Sequence, residues 1–214
     1  IIGEVRSQEA LALYEAMRVG ALANVVAGTI HGASPYSVFD RVVNDLNVPI
    51  TSFKATDIIV VCNPVKSPDG LHSWKRVVRI SEVRKHWQKD PLLEKGFVDL
   101  MKYDVEKDEL VPTDDLINGD SEIIKDIASN VKGWAGNWDA VWDNILLRAK
   151  IKEEILKVAM EMKNNLILEA EFIKQANHAF HIISDDVTQE RGLPWSEDVF
   201  PRWQKWLREG LKKK

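Results

Sequence analysis

Two short segments carry residue types that act on water and phosphate: Ile1-Ile2-Gly3-Glu4-Val5-Arg6 and Gly28-Thr29-Ile30-His31. Each places a polar residue at the end of an apolar stretch that reads as a buried strand. In open α/β sheets that edge is where ligands bind. A carboxylate at one tip, Glu4, could polarise a water for attack on phosphorus. An imidazole at a neighbouring tip, His31, could contact a terminal phosphate and report its presence. Other groupings carry less. His178 and His181 lie on one helical pattern with no third metal ligand in sight. Cys62 is the sole cysteine, which excludes an internal disulfide and any cysteine-cluster metal site. Trp134, Trp138 and Trp142 recur at i, i+4 and i+8 and read as one helix face, for core packing or a partner. Stacking on bases would want a basic groove beside them.

The elements that must hold Glu4 and His31 alternate between strand and helix. The pattern predicts a strand over residues 1–5, a helix over 8–19 and a strand in 24–31. Ser34 then suits an N-cap and Pro35 the first helical position. Val38, Phe39, Val42, Val43 and Leu46 form that helix's apolar face, and Val48-Pro49 ends it. Residues 57–62 are a continuous apolar run, as expected of a strand buried on both faces of a mostly parallel sheet. Residues 74–83 alternate, with Val77, Arg79 and Glu82 set against Val78, Ile80 and Val83, and suit an antiparallel hairpin with the run before them. Residues 97–103 and 109–112 suggest a second hairpin.

From about Gly119 the pattern is helical. A short stretch follows Asp120-Ser121-Glu122, and Gly133 and Gly136 break it. A long one covers 139–183, with Ile145, Ala149, Ile155, Ala159, Met162, Leu166, Ala170, Ile173, Phe180 and Ile183 as its stripe. A break near Asn164-Asn165 is expected, because Asn is a weak helix former. Gly192-Leu193-Pro194 punctuates, 196–211 is a last helix, and Lys212-Lys213-Lys214 is a solvated tail.

Composition narrows the function class. The chain has 214 residues, 45% apolar and 29% charged, which suits a packed core. A net charge of −4 argues against sequence-independent nucleic-acid binding. No apolar run approaches the ~20 residues that span a bilayer, so direct membrane insertion is not expected. The chain opens without Met and without a basic segment, so a signal peptide is not expected at its start, and the expectation is the inside of a longer chain.

In this order the motifs resemble the secretion-system ATPases, which power type II secretion, type IV pili and the archaeal flagellum. In that family an apolar strand ends in Gly-Glu-(Ile/Val)-Arg, the Walker B element, matched here by Gly3-Glu4-Val5-Arg6. A helix follows with an acidic residue soon after the Arg, here Glu9, and ends in Ala-Met-x-x-Gly, here Ala16-Met17-Arg18-Val19-Gly20. A strand then ends in the His box, here Gly28-Thr29-Ile30-His31. A helix carrying Arg41 leads to Val48-Pro49 and then to Asp57-Ile58-Ile59-Val60.

The resemblance implies an α/β fold: the second half of a RecA-like P-loop NTPase core with β-hairpins over 1–115, then a mainly helical C-terminal domain over 116–214. It implies Glu4 as the glutamate that orients the attacking water, and His31 with Thr29 beside the γ-phosphate. Arg6 and Arg41 would couple the motor or contact a neighbouring subunit. ATP and Mg2+ would be cofactors of the full-length protein, a cytoplasmic hexamer peripheral to the inner face of the cell membrane. Its partners would be the same chain's N-terminal half, neighbouring subunits and an inner-membrane platform protein.

The sequence also departs from the family. Ala21 follows Gly20 where the family has Gly-His, and the four-cysteine zinc element of many bacterial members is missing, which favours an archaeal or pilus-type member. No GxxxxGK[ST] loop occurs, so nothing in these residues wraps the β- and γ-phosphates. The expectation is a C-terminal piece of a longer motor that does not itself hydrolyse ATP. The alternatives are a non-enzymatic adaptor or regulator that keeps the motor fold without a phosphate loop, and a conjugation-type relative.

Overall fold

A computed structural model describes residues 2–20 and 25–212. Ile1, residues 21–24 and Lys213-Lys214, on which parts of the expected strands and tail fall, lie outside the described residues. The protein is mixed α/β, with a two-stranded parallel sheet and a four-stranded antiparallel sheet. By compactness it divides into two units, 1–124 and 125–214.

In the first unit, β1 (Ile2–Glu4) pairs in parallel with β2 (Gly28–Thr29), with Ile2 opposite Gly28 and Glu4 opposite Thr29. The N–H of Val5 continues the ladder by donating to the Thr29 carbonyl at 2.9 Å. The expected strand over 24–31 is confined to two residues, both exposed, rather than forming a buried strand. α1 (Ser7–Val19) follows β1 and buries Ala10 and Tyr14.

Next comes α2 (Pro35–Asp40), which starts on a reciprocal capping box. The Ser37 N–H donates to Ser34 Oγ at 3.1 Å, and the Ser34 N–H donates to Ser37 Oγ at 2.8 Å. Capping of this kind satisfies N–H groups that have no partner inside the helix. The helix widens into a single π turn over Arg41–Asp45, and Asn47 at φ 55° turns the chain away. α3 (Ile50–Phe53) packs on α1.

The larger sheet is a meander of β3 (Ile58–Lys66), β4 (Ser73–Val83), β5 (Phe97–Asp104) and β6 (Glu109–Pro112). Both expected hairpins are present. The mostly parallel sheet is not: among the described residues only β1 and β2 run parallel. β3 is an edge strand and buries one face alone. Ile59 and Val61 are buried, whereas Val60 is 53% exposed and Cys62 is exposed. A continuous apolar run therefore does not distinguish a strand covered on both sides from one with apolar residues on its open face.

One apolar core joins the parallel pair, the helices and this sheet through Val5, Tyr14, Phe39, Phe53, Ile59 and Trp87. Phe39 stands edge-on to Phe53 at 5.3 Å and to Trp87 at 5.5 Å, geometry that aromatic quadrupoles favour. α4 (Asp114–Ile117) starts with Thr113, whose hydroxyl accepts from the Leu116 N–H. α5 (Glu122–Ser129) closes the described path out of this unit.

The second unit is helical: α6 (Trp138–Glu161), a 3-10 turn over Asn165–Leu168, α7 (Ala170–Arg191) and α8 (Ser196–Lys212). The break falls where it is expected. Lys163 takes a positive φ, and the Asn164 side chain accepts from the Leu166 N–H at 3.1 Å. Gly192 ends α7 in the left-handed conformation that glycine adopts without a Cβ penalty.

The buried face of α6 is Ala140, Val141, Asn144, Leu147, Ile151, Ile155 and Ala159; Ile155 and Ala159 of the expected stripe are on it, as is Phe180 among the buried residues of α7, whereas Ala149 and Met162 are exposed. Trp134 lies in turns before α6, so only Trp138 and Trp142 share the helix, stacked at 6.3 Å. Among the described residues no helix is long and apolar enough to cross a membrane.

Candidate functional site

Glu4 is the last residue of β1, and the parallel register sets it directly opposite Thr29 on β2. Two residues beyond Thr29 stands His31, whose Nε2 lies 3.3 Å from Glu4 Oε1. On the other side Arg6, extended at the N-cap of α1, donates from Nε to Glu4 Oε2 at 2.7 Å, and its Nη2 contacts the same oxygen. Arg6 therefore pairs backward with Glu4, although Glu9 in the first turn of α1 was an available partner. Arg41 enters from the π turn after α2, near enough for its charge to act on Glu4. Its Nε is buried and has no hydrogen-bond partner among the described residues.

The electrostatics follow from these contacts. The Glu4 carboxyl is lowered from its ordinary 4.5, chiefly by the hydrogen bond from Arg6. Burial opposes this, and the charges of Arg6, His31 and Arg41 add to it. Glu4 is thus a carboxylate at neutral pH. Its side chain is 22% exposed, while those of Arg6 and His31 are 70% and 80% exposed. A carboxylate has about four lone-pair positions. Arg6 takes the Oε2 side, and His31 Nε2 faces Oε1. The surrounding guanidinium and imidazole groups suit an anion.

All five residues singled out in the sequence, Glu4, Arg6, Thr29, His31 and Arg41, thus lie around one strand pair. His178 and His181 do not join a metal cluster: among the described residues no group of three or more His, Cys, Asp or Glu is placed to hold an ion. The His181 ring packs instead on Phe180 at 5.2 Å.

A second charged cluster escaped the sequence reading. Glu82 and Arg84 fall in or beside a strand whose alternation suggests an exposed Glu82, yet both are buried. The pairing with β5 shifts register between Ile80 and Ser81, and from Ser81 to Arg84 every residue is buried, so neither face of this strand end is open to solvent. Glu82 accepts from Ser121 Oγ at 2.5 Å and from the Glu122 N–H at 3.0 Å. Arg84 reaches Glu82, Asp120 and Glu122 at 3.2, 3.1 and 2.9 Å. Burial alone would lower the Arg84 pKa. Its hydrogen bond to Glu122 and the charges of Glu82, Glu122 and Asp120 outweigh that, and the net direction is up. The sequence signal was the Glu-x-Arg spacing itself, an acid and a base of opposite sign two residues apart. This cluster ties β4 to the segment entering α5.

No protein-family model matches the chain, and no curated protein matches it.

Proposed function

We propose that this chain is the C-terminal part of a secretion or pilus-assembly motor ATPase. It would hold the second half of a RecA-like core and a helical C-terminal domain. The observation that carries the reading is the pairing of β1 with β2, which sets Glu4, Thr29 and His31 side by side. Arg6 and Arg41 bear on the same carboxylate.

In this reading Glu4 orients the attacking water through Oε1, and Arg6 holds the carboxylate in place and ionised. His31 stands where a terminal phosphate would meet the water. Because most of its side chain is exposed, it is able to turn toward that phosphate. Arg41 offers a buried Nε with an unused N–H, a donor suited to an anionic oxygen. The residues present therefore fit one end of a nucleoside triphosphate. Mg·ATP, when bound, would supply the phosphoryl group to be transferred and a cation that offsets its charge. The loop that cradles those oxygens, with its Lys and its metal-holding hydroxyl, is not among these 214 residues and would come from the N-terminal half of the full-length protein. The assembly would be a cytoplasmic hexamer docked on an inner-membrane platform protein.

The adaptor reading keeps one observation in its favour: Arg6 already occupies Oε2, as it would if the carboxylate were purely structural. The two readings separate on hydrolysis by the full-length protein. Turnover that Glu4→Gln abolishes supports the motor. Absence of turnover in the unaltered full-length protein supports the adaptor.

A further inference from the structure

One face of α6 and one face of α7 bound a cavity of about 220 Å3 in the helical unit. Its floor is apolar: Ile151 and Ile155 from α6, and Phe180 from α7, all at least nine-tenths buried. Arg148 and Lys152, one helical turn apart on α6, stand at its rim. Arg148 is fixed there. Its Nε donates to Asn144 Oδ1 at 2.9 Å, and its guanidinium lies over the Phe180 ring at 4.8 Å. Among the described residues, no carboxylate pairs with either cation. An apolar hole with two cations at its edge that no described carboxylate pairs is complementary to a partner that brings an apolar group and a negative charge together.

We propose that this cavity docks an acidic amphipathic segment of a partner protein. One large apolar side chain of that segment fills the cavity, and a carboxylate beside it meets Arg148 and Lys152. The size favours a side chain over a free metabolite, because ligand pockets commonly run from about 300 to 1,000 Å3. An aliphatic or aromatic anchor in a desolvated pocket, with charges at the rim, is how protein interfaces concentrate their affinity and select their partner. The proposal does not depend on nucleotide chemistry at Glu4.

The test uses the 214-residue chain and a fluorescein-labelled helical peptide of about 14 residues, long enough to hold some helix in water. The peptide carries leucines on one face and glutamates flanking them. Two control peptides replace the glutamates by lysine or the leucines by alanine. Fluorescence anisotropy should show saturable binding of the acidic peptide, at least about tenfold tighter than either control. Two exposed-residue variants then probe the chain. Asn177→Trp places an indole across the cavity, and Lys152→Glu reverses the rim charge. Each should weaken binding by about tenfold or more while leaving the circular dichroism spectrum unchanged. The proposal is overturned by equal binding of the acidic and lysine peptides, by binding that survives Asn177→Trp, or by no binding below about 1 mM. Saturable binding of octanoate without binding of the peptide also overturns it, in favour of a small amphiphile.

Discussion

Arg6 holds Glu4 through Oε2, so the protonation of this carboxylate is tied to a contact that one substitution removes. Its folded-state pKa lies below the ordinary 4.5. The contribution of the ionised group to stability is therefore present above that ordinary value and is lost as pH falls through the lowered one. Carbon-detected NMR titration of the Glu4 carboxyl should give a midpoint below 4.5, and Arg6→Gln should move it upward. An unmoved midpoint would mean that the contact does not persist in solution. In the proposed motor His31 acts through position, so His31→Ala in the full-length protein should slow turnover more than it weakens ATP binding. Equal loss of both would assign His31 to binding alone. Glu82 is a different case, because its removal leaves Arg84 buried against fewer carboxylates. Breaking a buried pair by deleting one partner costs roughly 3–5 kcal/mol. Glu82→Ala should lower the unfolding free energy from urea titration by an amount of that order, and a loss under about 0.5 kcal/mol, as for an exposed pair, would contradict the buried role.

At the scale of elements, close packing around Trp87 gives a sharp test. A Cβ on Gly96 would lie 2.6 Å from Pro91 Cβ and 2.8 Å from Trp87 Cδ1. Gly96 also receives the Arg84 N–H on its carbonyl at 2.8 Å, which fixes it at the start of the β5 pairing. Gly96→Ala should destabilise the first unit by about 1–3 kcal/mol, as overpacking does, read as a lower thermal midpoint. An unchanged midpoint would show that the loop yields freely.

Which elements were legible in the sequence follows from the same local physics. Ser34-Pro35, Asn164 and Gly192 announce helix ends because their side chains or dihedrals act within a turn, and the structure places ends at all three. The parallel sheet was misjudged at residues 57–62, since apolar continuity says nothing about what covers each face. The burial of Glu82 was illegible because the groups that cover it, Ser121 and the Glu122 N–H, come from a segment distant in sequence. The side chains that the structure gathers at the tips of β1 and β2, Glu4, Arg6 and His31, were singled out through residue order alone. The approach of Arg41, more than thirty residues beyond Glu4, is tertiary and was visible only as a weak motif match.

For the whole molecule, the account divides labour between what this chain contains and what it lacks. It contains a carboxylate, an imidazole and two guanidiniums around one strand pair, and a separate helical unit with a cation-rimmed apolar cavity. It lacks the loop that would bind the rest of a triphosphate. The 214 residues alone should therefore show no ATP turnover above background in a coupled assay with Mg2+. Robust hydrolysis by this chain alone would refute the division. The central claim is that Glu4 orients the attacking water. It is tested most directly by steady-state ATP hydrolysis of the full-length protein carrying Glu4→Gln, with nucleotide binding followed in parallel. The account predicts a loss of turnover of about 100-fold or more with ATP binding retained. Turnover equal to that of the unaltered protein would contradict it.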